Sequence, residues 1–297
     1  MNKPNCILCN SSDYKIKFKK SRQTTCVNQD GFSVLDDKTH NDIVQCQQCG
    51  LFYVYPFEDY SYFQNIYRNL DIKNYVLEAE NRAKIFFENA KLIQQYISMG
   101  TLLDLGCSVG LLLDAARKLA FSVIGVELSV ECCKYAKNIL NLNIVNSALE
   151  SIEFKKNSVD IITMIDVIEH LQDPVSVLIK CWTWLNQDGY LVLNTPNINS
   201  LSAKLLGQKW YGFSRSHLYY FDKETIESLL CKCNYTIISN YTYPRIFSLE
   251  YILRKLNLSN IFINAILKYI PNSIIKKSIR IDLKDSMLII AKKKYTN

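Results

Sequence analysis

The chain has 297 residues, of which 48% are hydrophobic and 21% are charged. These values exclude a disordered or fibrous protein, and the length favours one large domain with an appendage, or two domains. No uncharged apolar run approaches the roughly 18–20 residues that span a bilayer, and the stretch MNKPNCILCN lacks the apolar core of a signal peptide. We therefore expect a cytoplasmic protein whose eleven cysteines are thiols or metal ligands rather than disulfides.

The net charge of +7 is unevenly distributed along the chain. Residues 244–297 contain eleven Lys and Arg but three acids, so this segment carries +8 and the remaining chain carries −1. A basic segment favours an anionic partner such as a membrane surface, a phosphorylated substrate or nucleic acid. A solvated lysine face is the alternative, so peripheral contact with the inner face of a membrane is one of two open interpretations.

Residues 1–60, which we name the cysteine module, contain two Cys-x-x-Cys pairs and lead into an aromatic connector. The pairs are Cys6 with Cys9 and Cys46 with Cys49. Four thiolates in two such pairs are typical of a structural, closed Zn²⁺ site with no open coordination position. Cys26 and His40 lie between the pairs and are possible substitute ligands. Unpaired or redox-active thiols are the alternative.

The rest of the chain, residues 61–297, alternates strand and helix patterns and predicts a parallel sheet with helices on both faces. A helix is predicted over 75–98, because apolar residues recur at helical spacing and Gly100 follows. A stretch rich in Ile, Leu and Lys, residues 244–281, predicts helical insertions before the last strand. The predicted strands are 101–105, 121–127, 143–146, 159–165, 189–194, 235–242 and 285–292. The further predicted helices are 110–119, 129–140, 174–185 and 223–232.

A glycine-containing turn, Gly106-Cys107-Ser108-Val109-Gly110, follows the strand Leu102-Leu103-Asp104-Leu105. Glycine permits a tight turn and the close approach of a ligand to the backbone. A dinucleotide fingerprint needs glycine at positions 108 and 111, where this chain has Ser108 and Leu111, and no P-loop lysine follows. Glu127 ends the next strand, where a carboxylate can accept both ribose hydroxyls. Together these features predict a nucleoside pocket at the carboxyl edge of the sheet, although the turn alone could serve packing.

The chain resembles the class I S-adenosylmethionine (SAM)-dependent methyltransferases over residues ~75–294. The resemblance rests on the glycine-containing turn with its strand, on the strand that ends at Glu127, and on the segments NSVDIITMIDVIEHLQDP and LNQDGYLVLNTPN. The resemblance implies a Rossmann-like, seven-stranded α/β fold and a cofactor whose methionine end meets the glycine turn. Cys-x-x-Cys pairs with an aromatic connector also resemble the zinc-binding N-terminal module of some sugar methyltransferases. By this resemblance the residues expected at the cofactor are Asp104, Gly106, Cys107, Gly110, Glu127, Leu128, Ala148, Leu149 and Asp166.

Two of the three histidines are candidates for the reacting centre. His170 lies in Asp166-Val167-Ile168-Glu169-His170, which is similar to the acid-x-x-Glu-His pattern of ubiquinone-biosynthesis O-methyltransferases, a pattern that holds a metal. This similarity implies a divalent ion such as Mg²⁺ at Asp166, Glu169 and His170, while a purely structural role is the alternative. His217 is the candidate general base or substrate ligand, with Arg215, Trp210 and Tyr211 binding substrate, unless this aromatic loop serves only to pack on the sheet.

The sequence thus predicts methyl transfer to a hydroxyl, or less readily a carbon, of a sugar, a nucleotide-linked sugar or a lipid-linked glycan. A metal-dependent quinone or phenol O-methyltransferase is the second hypothesis. An RNA-binding protein or RNA methyltransferase is the third, which the nearly balanced charge of the cysteine module disfavours. A non-catalytic cofactor-binding relative is the fourth. The lack of an Asp/Asn-Pro-Pro-aromatic motif at Asp166 argues against methylation of a nucleic-acid base.

Overall fold

The computed structural model describes residues 5–21, 40–255, 270–275 and 277–294. Its strands are β1 (Tyr14–Phe18), β2 (Ile43–Cys46), β3 (Phe52–Val54), β4 (Thr101–Leu105), β5 (Ser122–Glu127), β6 (Ile144–Asn146), β7 (Val159–Ile165), β8 (Leu185–Pro196), β9 (Tyr219–Tyr220), β10 (Tyr235–Thr242), β11 (Arg245–Ser248), β12 (Ser278–Ile281) and β13 (Ser286–Lys293). Its α-helices are α1 (Tyr60–Arg68), α2 (Lys73–Leu77), α3 (Ala79–Gln94), α4 (Leu111–Lys118), α5 (Val130–Asn138), α6 (Pro174–Trp184), α7 (Leu201–Leu206), α8 (Lys223–Lys232), α9 (Leu249–Lys255) and α10 (Asn272–Ile275). Short 3-10 turns cover Ile168–His170 and Gly207–Lys209.

The central sheet has seven strands in the order β10-β13-β8-β7-β4-β5-β6. Strands β6, β5, β4, β7 and β8 are parallel, whereas β13 runs antiparallel to both of its neighbours. Because the parallel strands end at one edge of the sheet, the loops that follow β4, β5 and β7 meet there. This α/β fold is the one expected from the alternating pattern, and every predicted strand of the sheet is present.

Because the inner strands of the sheet are buried on both faces, their sequences are nearly continuous runs of apolar residues. The side chains of Leu102, Leu103 and Leu105 in β4 are fully buried. Helix α6 starts at Pro174 after the capping carboxylate of Asp173, which accepts a hydrogen bond from the Ser176 amide. Predicted helix 75–98 is divided into α2 and α3, with Glu78 at the junction. Within the described residues, no helix combines the length and apolar composition that a membrane span requires.

The cysteine module forms a second, antiparallel sheet with the order β1-β2-β3-β9. Its fourth strand, β9, comes from the segment after β8, and pairs Phe52 with Tyr220 and Tyr53 with Tyr219. Buried Cys6, Cys46 and Tyr53 share a hydrophobic core with Leu218 and Tyr219. The module therefore packs on the central domain through a shared sheet and core, while a domain boundary near residue 60 stays a prediction.

The insertion at 244–281 departs from the helical prediction at both of its ends. Strands β11 and β12 form an antiparallel ribbon there, with Arg245 opposite Ile281 and Ser248 opposite Ser278. The sequence Ser-Ile-Arg-Ile of β12 alternates polar and apolar residues, and the burial of the side chains in β11 alternates along the strand, a period of two that suits a strand rather than a helix. Helices α9 and α10 lie between these strands, and residues 256–269 fall outside the described residues.

Candidate functional site

A cavity of about 370 Å³ opens at the carboxyl edge of the central sheet. Its floor is formed by the loops after β4, β5 and β7, and its walls come from α1, from α2 with α3, and from β11 with the start of α9. A concave site at this edge is the usual location of ligands in open α/β sheets.

The turn after β4 is built for a close backbone approach. Gly106 has φ of +74° and donates its amide to the Val126 carbonyl at 2.8 Å. Ser108 adopts φ of +49°, in the left-handed region in which glycine is preferred. Gly110 has φ of +83°, and a Cβ added there would come within 3.2 Å of Ala136 Cβ on α5 and within 2.5 Å of Leu142 Cδ1 in the loop that follows α5. Gly110 therefore shapes the turn, but it does not line the cavity.

Glu127 lines the cavity at the end of β5 and is held by backbone amides on both sides. Its Oε2 accepts a hydrogen bond from the Ser108 amide at 2.8 Å, and its Oε1 accepts one from the Ser129 amide at 2.7 Å. Each carboxylate oxygen has a second lone pair. Glu127 is thus oriented by the glycine turn and still has acceptor capacity for two vicinal hydroxyls.

Two aspartates lie at the ends of the neighbouring strands. Asp104 is buried and accepts a hydrogen bond from Thr163 Oγ1 at 2.6 Å, and burial raises its pKa to about 7. Asp166 is exposed to the cavity with φ of +54°, and its Oδ1 accepts a hydrogen bond from Asn194 Nδ2. A strained backbone at such a position commonly marks a functional site.

The expected cofactor residues are brought together around this cavity. Nine residues were expected from the sequence, and all except Gly110 line it. The lining residues of this set are Asp104, Gly106, Cys107, Glu127, Leu128, Ala148, Leu149 and Asp166.

The cavity wall formed by helix α1 was not expected from the sequence. Helix α1 contributes Tyr60, Phe63 and Tyr67, whose spacing of three and four residues places them on one helix face. Tyr60 donates its hydroxyl to Glu150 Oε1 at 2.6 Å, which connects α1 to the segment after β6. That aromatic spacing is a signal that could have identified this wall.

Two arginines bring positive charge to the cavity. Arg82 on α3 lies over the Tyr75 ring, with its guanidinium carbon 4.1 Å from the ring centre, and its buried Nε has no hydrogen-bond partner among the described residues. Arg245 on β11 faces Asp166 and Asp285, whose charges raise its pKa against the effect of burial. Their positions depend on long-range contacts, which no local sequence pattern encodes.

His170 lines the cavity and has a defined tautomer. Its Nδ1 lies 3.0 Å from the Ser216 carbonyl oxygen and 3.1 Å from the Tyr67 hydroxyl. Since a carbonyl oxygen can only accept, the proton of the neutral ring lies on Nδ1 and the lone pair lies on Nε2. Burial lowers the pKa of His170, so the ring is neutral at pH 7 and able to accept a proton.

His217 lies behind His170 and is not among the residues that line the cavity. The two ring centres are 4.6 Å apart, and burial holds the pKa of His217 well below its ordinary value. Its buried Nδ1 has no hydrogen-bond partner within the described part of the chain. The expectation that His217 is the general base does not match this geometry, because His170, and not His217, lines the cavity.

The three expected substrate ligands also lie away from the cavity wall. Trp210 is 2% exposed and packs against Phe213. Tyr211 donates its hydroxyl to Asp285. The Arg215 guanidinium forms an ion pair with Glu58, with Nη2 2.8 Å from Oε2. The loop matches the packing alternative, because Trp210 and Phe213 are buried in a hydrophobic cluster with residues of the cysteine module.

The metal site implied at Asp166, Glu169 and His170 is not assembled as expected. Ligand atoms of Glu169, His170 and His217 lie within 4.8 Å of one another, whereas Asp166 is not part of that group. Glu169 is 1% exposed and accepts a hydrogen bond from Thr195 Oγ1. One carboxylate with two imidazoles does not fit Mg²⁺, which prefers several oxygen ligands and waters.

The four cysteines of the module converge on one point. Cys6 Sγ lies 3.4 Å from Cys49 Sγ, and Cys9 Sγ lies 3.5 Å from Cys46 Sγ. All four sulfurs lie within 4.8 Å of one another, and a tetrahedral zinc with Zn–S bonds of about 2.3 Å requires sulfurs about 3.8 Å apart.

Each cysteine pair sits on the same kind of turn. The Asn10 amide donates to the Cys6 carbonyl at 2.8 Å, and the Gly50 amide donates to the Cys46 carbonyl at 3.0 Å. Asn10 and Gly50 both have positive φ. The two equivalent turns direct four sulfurs inward, and this donor set fits zinc.

Of the two possible substitute ligands, His40 does not take part in this cluster. His40 is buried against Phe213, and its Nδ1 lies 2.7 Å from the Asn41 carbonyl oxygen. Cys26 lies outside the described residues.

Comparison with known proteins is consistent with this geometry. A family model described as "Methyltransferase domain" matches residues 64–240. The ubiquinone biosynthesis O-methyltransferase of Haemophilus ducreyi is 30% identical over 114 residues, which are 35% of this chain and 48% of that protein. The protein of the same name from Coxiella burnetii is 33% identical over 116 residues, which are 37% of this chain and 50% of that protein. The chain thus spans about half the length of these curated relatives.

Solved structures share the fold at low identity. A crystal structure from Thermotoga maritima, described as a SAM-dependent methyltransferase and possible histamine N-methyltransferase, is 14% identical with a TM-score of 0.51. The match covers 80% of this chain and 100% of that one. At this identity the similarity concerns the fold of the central sheet and its helices.

Proposed function

This chain belongs to the methyltransferase-domain family, whose model matches residues 64–240, and on that premise we propose that it is a SAM-dependent methyltransferase that acts on a hydroxyl oxygen. When bound, SAM supplies an electrophilic methyl group on a sulfonium. Glu127 binds the ribose hydroxyls, Leu128, Ala148 and Leu149 flank the adenine, and the turn at Gly106 faces the methionine end. The chain's principal task is then to align an acceptor oxygen with that methyl.

The position of His170 is the observation that supports a hydroxyl oxygen as the methyl acceptor. An alcohol oxygen becomes a better nucleophile as its proton is removed, and a neutral imidazole on the cavity wall can accept that proton at Nε2. The Ser216 carbonyl keeps Nδ1 protonated, so the lone pair stays on Nε2. Because burial lowers the pKa of His170, this lone pair is available at neutral pH.

The first acceptor class that we propose is a sugar hydroxyl, on a free or nucleotide-linked sugar or on a lipid-linked glycan. The cavity wall combines the polar groups of Gln64, Tyr67 and Arg245 with aromatic rings, including Phe247 and Tyr251. Polar groups that hydrogen-bond hydroxyls, together with flat aromatic surfaces, suit a polyhydroxylated ring. For a lipid-linked acceptor, the charge of +8 in residues 244–297 supports peripheral contact with an anionic membrane surface.

A phenol or quinol is the second candidate acceptor, favoured by the names of the curated relatives. The aromatic lining contributed by Phe63 and Tyr67 suits a planar ring as well.

We also propose that the cysteine cluster binds a structural zinc ion. Four protein thiolates leave no coordination position for a substrate, so the ion contributes to folding rather than to the chemistry.

The direct test follows a labelled methyl group from SAM into fractionated cell extract and then into a defined panel of nucleotide sugars and catechols. We expect a product in which the labelled carbon is bonded to oxygen. Labelling of the sugar panel selects the first acceptor class, and labelling of catechols selects the second. Label found on nitrogen or carbon, or in nucleic acid, contradicts the proposal.

A further inference from the structure

We propose that the cysteine module is a positioning element of the methyl-transfer site, and that its metal-held fold fixes the loop and the turn that orient His170. The importance of His170 itself rests on the proposed function. The inference concerns what holds this residue in place.

The first step runs from the cysteine cluster to the shared sheet. Cys46 is the last residue of β2 and also the first residue of its metal-binding turn. The Cys46 amide donates to the Leu51 carbonyl at 2.9 Å, and this hydrogen bond starts the return of the chain into β3. Strand β3 then pairs with β9 of the central domain. The four-cysteine cluster thus sets the register of the strand that receives Tyr219 and Tyr220.

The second step runs through a single residue, Leu218. The Val54 amide of β3 donates to the Leu218 carbonyl at 2.9 Å, and the Leu218 amide donates to the Glu169 carbonyl at 2.8 Å. Leu218 is therefore bonded on one side to the cysteine module and on the other side to the 3-10 turn that contains His170. Two residues before Leu218, the Ser216 carbonyl is the group that fixes the tautomer of His170.

A third contact fixes the same loop from the end of the module. Glu58 accepts hydrogen bonds from Arg215 Nε, at 3.0 Å to Oε2 and 3.2 Å to Oε1, and Arg215 Nη2 lies 2.8 Å from Oε2. Both side chains are only about a third exposed or less, which makes such a pair firmer than an open surface ion pair. Arg215 directly precedes Ser216, so this ion pair restrains the peptide that meets His170.

The module also leads directly into the cavity wall. Asp59 caps α1 by accepting a hydrogen bond from the Ser61 amide at 2.9 Å, and Tyr67 at the far end of this helix lies 3.1 Å from His170 Nδ1. Contacts from β3, from Glu58 and from α1 thus converge on one imidazole. Glu127, in contrast, is held by amides of the central domain. Loss of the module's fold is therefore expected to disturb His170 more than the ribose contact.

The test uses the full chain, which has only three histidines, so that the imidazole C–H resonances in NMR can be assigned with single variants. Zinc is removed with a chelator, and the affinity for S-adenosylhomocysteine is measured by calorimetry on the same sample. We expect the His170 and His217 resonances to shift and broaden, while the dissociation constant changes less than about threefold. Resonances that stay in place in the zinc-free protein overturn the proposal.

A second experiment leaves the metal site intact and changes one contact between the cysteine module and the loop before His217. Glu58→Gln removes the charge that pairs with Arg215, and Glu88→Gln is its matched control, because Glu88 forms an exposed pair with Arg280. We expect a shift of the His170 resonance in Glu58→Gln and none in Glu88→Gln. If zinc removal abolishes the binding of S-adenosylhomocysteine altogether, the test rests on the Glu58→Gln variant. NMR spectra with the same His170 resonance in Glu58→Gln and Glu88→Gln then overturn the proposal. Both readouts are independent of the acceptor, so a wrong acceptor class leaves this test intact.

Discussion

The Nδ1 atom of His170 lies 3.0 Å from the backbone carbonyl oxygen of Ser216, although the two residues are 46 positions apart in the chain. This contact is the product of tertiary structure, since it joins the 3-10 turn after β7 to the loop before β9. It leaves Nε2 as the basic nitrogen of a cavity-lining imidazole.

His170→Gln is expected to lower kcat by roughly 10²–10⁴, the usual contribution of a positioned general base. Because a base must be deprotonated, the wild-type rate rises with pH, and the lowered pKa of His170 places the midpoint below the ordinary value of 6.5. The variant is expected to lose this rising limb in a pH profile of kcat/KM. His217→Gln is the comparison, and a larger loss there than in His170→Gln would contradict the assignment.

Asp104→Asn tests the buried carboxyl under the cavity through the pH dependence of stability. The pKa of Asp104 is about 7 in the folded protein against an ordinary value of 3.8, so the folded state binds the additional proton. The stability that this proton contributes is present below pH 3.8 and is lost as pH rises through about 7. Thermal unfolding is expected to show the variant gaining stability relative to wild type from pH 5 to pH 8. A difference in stability between the variant and wild type that stays constant from pH 5 to pH 8 would refute the raised pKa of Asp104.

Gly110→Ala tests the packing of the glycine turn on α5. The added Cβ requires an unfavourable positive φ and approaches Leu142 Cδ1 to 2.5 Å. We expect a loss of about 2–4 kcal/mol in the free energy of unfolding, which combines backbone strain with overpacking. Gly50→Ala is the control, because its φ of +81° is nearly that of Gly110, and the added Cβ meets only Gln45 Nε2 at an ordinary 3.9 Å. Backbone strain alone predicts a loss of about 1–2 kcal/mol there, and equal losses in the two variants would remove the packing argument.

Cys9→Ser tests the metal site by element analysis and thermal unfolding. Wild-type protein prepared without chelators is expected to contain one zinc per chain, and the variant is expected to contain little and to unfold at a lower temperature. Cys231→Ser is the control, because this thiol is exposed and lies outside the cluster. Zinc retained in full by Cys9→Ser would assign the metal to other ligands.

The sequence predicted the central sheet well because its inner strands are buried on both faces and carry nearly continuous apolar runs. The strand predicted at 189–194 is longer in the structure, Leu185–Pro196, because polar Asn186, Gln187 and Asp188 still belong to it. The paired strands β11 and β12 were missed because each has only four residues, too few for the period of two to stand out.

The position of Gly106 and Glu127 at the cavity was also predictable, since both follow from their places at the ends of consecutive strands. The rest of the lining was not. Tyr67 and Arg245 reach the cavity from segments far apart in the chain, and His217 lies close to His170 without lining the cavity. Such placements arise from packing between distant elements, and a pattern within one segment cannot encode them.

The central claim is that the carboxylate of Glu127 holds the ribose of the cofactor beside the glycine turn. Calorimetric titration with S-adenosylhomocysteine tests this claim most directly, on wild type, on Glu127→Ala and on Glu131→Ala, whose exposed carboxylate on α5 pairs with Lys134. Loss of hydrogen bonds to a charged group is expected to weaken binding of the Glu127 variant by about 10- to 100-fold, with the Glu131 variant equal to wild type. Unchanged affinity in Glu127→Ala would contradict the account.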